Sequence, residues 1–394
     1  MAAPHAAPRR RMQADARRAQ LARTAAARFH LLGYHQVSLG DVAADVGLTG
    51  PAVYRHFRNK EALLVAALES GLDEVTAALD EHLDGPLDVL VAALARVATE
   101  RADLWTLLQR ESRFLGDDAR DAVLGRLRSG LERLSRRLRR ARPELTDRAA
   151  GVLVTGALGA MATPSSTGTS LDDDQVRTVL AAAALACLLS DPPDPATAAA
   201  EPPGDVVADP GPGSRREEIV ARAVELFHVH GYAGVSLDDI GAAVGMAGPS
   251  LLHHFATKAD ILTAAFDLAS ERLHAEQRSR RRHPGSVDLT GMLDRYVGFC
   301  QANRSLLGVY VTEFHHLTDD ARRRTATTIR TELQDWTRSL LAYALDLDEP
   351  TARLRVRAAL SVAHDLTRLA SSSHDRPATR AEVTAVALAV LRTG

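Results

Sequence analysis

The sequence predicts an all-α protein built as two tandem helical units, each with a three-helix head containing a helix-turn-helix and a helical body. Three observations carry that prediction. A block of residues recurs 198 positions further along, apolar residues elsewhere follow a helical period, and strand signals are nearly absent. The chain has 394 residues, 46% hydrophobic and 25% charged, enough for two or three ordinary domains with full cores. Aromatics make up only 4%, so those cores should be mostly Ala, Leu and Val.

The first segment, residues 1–14, is rich in small residues and arginine and has no apolar run, so it reads as a disordered basic arm, not a secretory signal. Residues 15–68 form the first head. Phe29-His30-Leu31-Leu32-Gly33-Tyr34 matches Phe227-His228-Val229-His230-Gly231-Tyr232, and the register holds without a gap from Val37–Leu64 to Val235–Leu262. Shared there are Ser38/Ser236, Asp41/Asp239, Gly47/Gly245, Gly50/Gly248, Pro51/Pro249, His56/His254, Phe57/Phe255 and Lys60/Lys258. Matches at one fixed offset do not arise from composition alone.

Within the block, Ser38 can cap a short helix whose inner face is Leu39, Val42, Ala43 and Val46, and its hydroxyl is expected also to reach a phosphate. Gly47 ends that helix, as a residue tolerant of the left-handed conformation. Leu48, Thr49 and Gly50 make a tight turn, and Pro51 suits the first turn of a second helix. Val53 and Phe57 point inward, while Thr49, Ala52 and Arg55 project outward near its start. That is helix-turn-helix geometry, in which the N-terminal part of the second helix enters the major groove. A plain helical hairpin fits the spacing as well.

Residues 69–190 form the first helical body. Its stripe Leu124, Leu127, Leu131, Leu134 and Leu138 marks an amphipathic helix whose arginines form a solvated basic face. Residues 191–213 are rich in Pro, Gly and Ala and read as an extended linker. The second head spans 214–266 and the second body 267–394. The doubling reaches the bodies too: Glu111 and Leu115–Arg120 match Glu313 and Leu317–Arg322, now 202 positions apart. Apolar helices close both units, at 149–162 with 176–189 and at 354–369 with 383–391.

The repeated block resembles the N-terminal DNA-binding domain of the TetR/AcrR family of bacterial repressors. Phe29, Gly33-Tyr34, Ser38, Val42-Ala43, Gly47-Leu48-Thr49, Tyr54, His56-Phe57, Lys60 and Leu63 carry the resemblance. It implies that Ser38, Tyr54, His56 and Lys60 contact or position phosphates, and that Thr49, Gly50, Pro51, Ala52 and Arg55 lie nearest the bases. The corresponding residues of the second copy are Ser236, Gly248, Ser250, His253, His254 and Lys258. Members of the family are homodimers joined through C-terminal helices, so the resemblance implies an intrachain pseudo-dimer, with a dimer of chains left open. It further implies a double-stranded DNA operator, a small apolar effector held in the bodies, and a bacterial cytoplasmic location. Candidate effector-lining residues are Trp105, Leu108, Glu111 and Phe114 in the first body, and Tyr310, Phe314 and His315 in the second; ordinary helix packing is the plainer reading of each.

The net charge of −2 conceals an asymmetry. Residues 1–68 carry ten Lys+Arg and four Asp+Glu, a balance of +6; residues 214–266 carry four and six, a balance of −2. The second copy also replaces Thr49, Tyr54, Arg55 and Arg58 by Ala247, Leu252, His253 and Ala256. The first head is therefore expected to bind DNA more strongly. The run Arg278–Arg282 is a caution, since it could restore positive potential near the second head. The only two lysines, Lys60 and Lys258, occupy equivalent places, where a phosphate-facing ammonium would account for them; plain inheritance from the duplication would too.

Other classes find little support. The two cysteines, Cys187 and Cys300, lie far apart in apolar runs, which argues against a disulfide framework and for a reducing compartment. No run of eighteen apolar residues is present. There is no HExxH, GxSxG, Walker-type or dinucleotide motif, so no catalytic residue, metal ligand or cofactor is expected. The competing reading is a helical ligand-sensing or protein-interaction scaffold that has lost DNA binding in one or both heads.

Overall fold

The computed structural model describes residues 6–163, 170–191, 193, 213–246, 248–281, 288–368 and 378–393. All regular structure among them is helical. In the first copy, helix α1 (Ala6–Leu32) is followed by the short helices α2 (Leu39–Asp45) and α3 (Gly50–Val53) and the long α4 (Lys60–His82). Residues 6–14, expected to be an arm, lie in the opening turns of α1, while residues 1–5 lie outside the described residues. The body continues with α5 (Leu87–Glu100), α6 (Ala102–Thr106), a π-turn (Leu107–Glu111), a 3₁₀ turn (Ser112–Phe114), α7 (Asp117–Ala141), α8 (Asp147–Met161) and α9 (Asp173–Leu189).

The second copy repeats the order. Its helices are α10 (Arg215–Gly234), α11 (Leu237–Ala243), α12 (Gly248–Leu252), α13 (Lys258–Arg281), α14 (Leu289–Ala302), α15 (Arg304–Thr312), α16 (Asp319–Tyr343), α17 (Glu349–Arg368) and α18 (Arg380–Leu391). A 3₁₀ turn, Phe314–His316, precedes α16. Positive φ occurs among the described residues only at glycine, and at matching places: Gly33 (81°) and Gly47 (69°), then Gly231 (73°) and Gly245 (67°). Gly47 and Gly245 turn the chain between the two short helices, in a conformation that a side chain resists.

Each head closes over its own core. Phe29, Phe57, Leu63, Leu64 and Leu68 are buried in the first; Phe227, Phe255, Ile261, Leu262 and Phe266 are their counterparts in the second. Burying one such side chain is worth roughly 1.5–3 kcal/mol.

Packing divides the chain into one unit of residues 1–85 and 96–130, and another of 86–95 and 131–394. This division does not follow the linker expected at 191–213, most of which lies outside the described residues. The reason is that α8 and α9 belong to the first copy by sequence but join α17 and α18 of the second. Those four helices form the intrachain pseudo-dimer bundle, with Ala150, Val152, Leu153, Leu180, Ala352, Val356, Val383 and Val386 all buried.

Candidate nucleic-acid interface

In the first head, Ser38 caps α2 through a capping box. Its Oγ accepts from the Asp41 backbone N–H (3.1 Å) and donates to Asp41 Oδ2 (2.6 Å). The single hydroxyl proton is therefore committed within the head. Ser236 repeats both bonds with Asp239 at the same distances. The two serines hold the first helix of the motif in place.

Thr49 precedes α3 and makes no side-chain cap bond; it is exposed, and Pro51 sits in the first turn. Val53 is fully buried and Phe57 nearly so, which orients the helix. Tyr54 is 60% exposed, Arg55 and Arg58 are exposed, and Ala52 and His56 are partly so. The outward face thus carries a phenol and two guanidinium groups. In the second head, Leu252 (52% exposed) stands at the place of Tyr54, and His253 is exposed beside it. Gly248 opens α12 and Ser250 is exposed on it; Ala247 and Arg282 lie outside the described residues.

Each of the two lysines, partly exposed, reaches back onto its own head. Lys258 Nζ donates to the Tyr232 and Val235 carbonyls at 2.7 and 2.6 Å, and lies 4.2 Å from the Tyr232 ring centre. Lys60 Nζ lies 4.3 Å over the Tyr34 ring and donates to the His35 carbonyl at 3.4 Å. Partial burial holds both ammonium groups below the usual lysine range. A compact cation that binds carbonyls and an aromatic face ties the start of α4 or α13 to the turn after α1 or α10. Each ammonium thus braces its head while staying partly exposed.

Sequence reasoning missed a second brace. Arg18 Nη1 donates to the His56 carbonyl (2.5 Å), with its guanidinium 4.3 Å from the Phe57 ring centre. Arg216 does the same to His254 (2.5 Å) and Phe255 (3.8 Å). Both arginines satisfy a carbonyl just beyond the second helix of the motif and place positive charge there. The signal was available, since Arg18 and Arg216 are themselves 198 residues apart.

The residues expected to line an effector site lie where each head meets its body. Glu111 is buried where body meets head: it accepts from the Tyr34 N–H (3.2 Å) and from Arg110 Nε (2.5 Å). Arg110 Nη2 in turn caps α1 through the Phe29 and His30 carbonyls, both at 2.9 Å. Phe114 stacks on Tyr34 (5.5 Å) and meets His35 edge-on (4.4 Å). Leu108 is buried in the head core, and Trp105 packs against it. In the second copy, Tyr310 stacks on Phe266 (4.8 Å), Phe314 lies near the same ring (6.3 Å), and His315 is against His316 (3.9 Å). These side chains join each head to its body. Among the described residues, no group of three His, Cys, Asp or Glu is placed to hold a metal ion, and no helix is long and apolar enough to cross a membrane.

The family model described as bacterial regulatory proteins, tetR family, matches residues 21–67 and again 219–265. Both matches fall on the heads, so the chain carries two domains of that family's type in tandem. Over 69 residues it is 36% identical to the uncharacterized HTH-type transcriptional regulator YezE of Bacillus subtilis (strain 168), covering 18% of this chain and 36% of that one. Over 63 residues it is 32% identical to the HTH-type transcriptional regulator CymR of Pseudomonas putida, covering 16% and 31%. The match thus spans about a third of each of these relatives. Among solved structures, it is similar to the ketosteroid transcriptional regulator KstR2 of Mycobacterium tuberculosis (20% identity, 46% of this chain, 94% of that one, TM-score 0.39). It is also similar to the TetR family regulator PfmR of Thermus thermophilus (22%, 44%, 97%, 0.38).

Proposed function

We propose that the chain is a DNA-binding transcriptional regulator, not an enzyme, and that its first head is the main DNA reader. The observation that carries this reading is the exposed stretch just after α3: Tyr54, Arg55 and Arg58 stand where the second head has Leu252, His253 and Ala256. The balance of +6 against −2 over the two heads supports it, because affinity for duplex DNA follows the phosphates neutralised. Thr49, Gly50, Pro51 and Ala52 face the bases. Repression, and release by a small apolar effector acting through the bodies, complete the proposal. For the second head alone the scaffold reading stays in play, since exposed Leu252 is an apolar contact and not a phosphate donor.

The test is a salt-dependent mobility shift with DNA upstream of the protein's own gene. The double variant Arg55→Ala, Arg58→Ala should abolish the shift, while His253→Ala should leave it within about twofold. Equal losses from both variants would overturn the assignment to the first head.

A further inference from the structure

The four-helix bundle joins two copies of one unit, yet its contacts are not reciprocal. Helix starts fix which residues correspond. Thr146 caps α8 as Asp348 precedes α17, and the capping box Asp172–Gln175 of α9 matches Thr379–Glu382 of α18. Arg148 therefore corresponds to Pro350, Gly156 to Ala358, Gly159 to Ser361, Gln175 to Glu382 and Val179 to Val386.

Arg148 grips Glu382 across the bundle with two bonds, Nε to Oε1 at 3.2 Å and Nη2 to Oε2 at 2.8 Å. Glu382 is only 1% exposed, and its Oε2 also accepts from the Thr379 N–H at 2.7 Å. The reciprocal place holds Pro350 and Gln175, which cannot form an ion pair. Gly156 lies beneath Val386: a Cβ there would sit 2.7 Å from Val386 Cγ1. A Cβ on Gly159 would sit 3.1 Å from Asp365 Oδ2 and 3.3 Å from Val362 Cα. The counterparts in α17, Ala358 and Ser361, both carry that Cβ.

We propose that this surface selects an unlike partner, so that first-copy helices pair with second-copy helices and two second copies reject each other. Packed the same way, two second copies would bury Glu382 against Pro350 and press the Ala358 methyl onto Val386. A buried carboxylate without its cation and an overpacked contact are both costly. Two first copies would set Arg148 against Gln175 and forgo the charge pair. Specificity here comes from what the wrong pairing lacks as much as from what the right one gains. The regulator thus always presents one head of each kind. This inference rests on the bundle and is independent of which head reads DNA.

The experiment uses the full chain with a protease site placed within 194–212. Light and isotope-heavy preparations are digested while folded, mixed, and weighed by native mass spectrometry. First–second pairs should exceed like pairs by about tenfold or more, which corresponds to about 1.4 kcal/mol. Like pairs in statistical proportion, or separation into single fragments, would overturn the proposal. Pro350→Arg with Ala358→Gly supplies the missing complement, so second–second pairs should then rise about tenfold, and no rise would also overturn it. In the uncut chain, Arg148→Gln and Glu382→Gln should couple. The double variant should fold about tenfold better than the product of the single losses, and independent losses would count against it.

Discussion

Lys258 reaches the Val235 carbonyl at 2.6 Å, which binds the first residue of α13 to the turn that opens the helix-turn-helix motif. It takes the Tyr232 carbonyl as well, whereas Lys60 makes one longer bond of 3.4 Å to His35. A charged hydrogen bond contributes about 1.5–3 kcal/mol where water is excluded, and less at partly exposed sites such as these. Lys258→Met should therefore destabilise the protein by about 1–2 kcal/mol, and Lys60→Met by less than half of that. Urea unfolding of both variants checks the order; the reverse order would show that these bonds are not what holds the heads.

Ser38→Ala removes a cap whose hydroxyl serves Asp41. It should cost about 0.5–2 kcal/mol of stability and leave the salt dependence of duplex binding unchanged. A fall in the salt slope would mean that Ser38 contributes at the phosphate backbone after all.

Arg55→Ala and Arg58→Ala should behave in the opposite way. Each changes an exposed side chain on the outward face of the first head, so stability should shift by less than about 0.5 kcal/mol. The slope of log affinity against log salt should fall by about 0.9 for each phosphate no longer neutralised. Binding to a non-specific duplex at several salt concentrations measures it without knowledge of the operator.

His364 lies against Tyr296, with Tyr296 Oη 2.6 Å from its Nε2. Burial pushes the imidazole down to about 4 from its ordinary 6.5, with Arg368 adding to the shift. The folded protein then binds fewer protons than the unfolded chain between those two values, so stability rises with pH across that window. Conversely, it is lost as pH falls from 6.5 to about 4, by at most about 3 kcal/mol from this residue. His364→Gln keeps an acceptor for the tyrosine but cannot titrate. Its unfolding free energy should lose that part of the pH dependence, while an unchanged pH profile would refute the role of His364.

The sequence by itself determined what local chemistry decides. Gly47 and Gly245 need left-handed backbone, Ser38 and Ser236 need a helix to cap, and the apolar spacing needs a helical face to bury. All of these are settled within a few residues, and the 198-residue repeat stated each of them twice. What only the tertiary structure decided depends on residues far apart in the chain. Nothing near Lys60 in the chain shows that its ammonium lies over the Tyr34 ring; the packing of α4 against the turn after α1 placed it there. That Glu111 and Phe114 meet Tyr34 is decided by α1 packing beside them. Arg18 counted only as charge until the head placed it on Phe57. The partition of the chain changed for the same reason. Arg148 and Glu382 are 234 residues apart, and no pattern along the sequence reveals that one closes on the other until the bundle buries both.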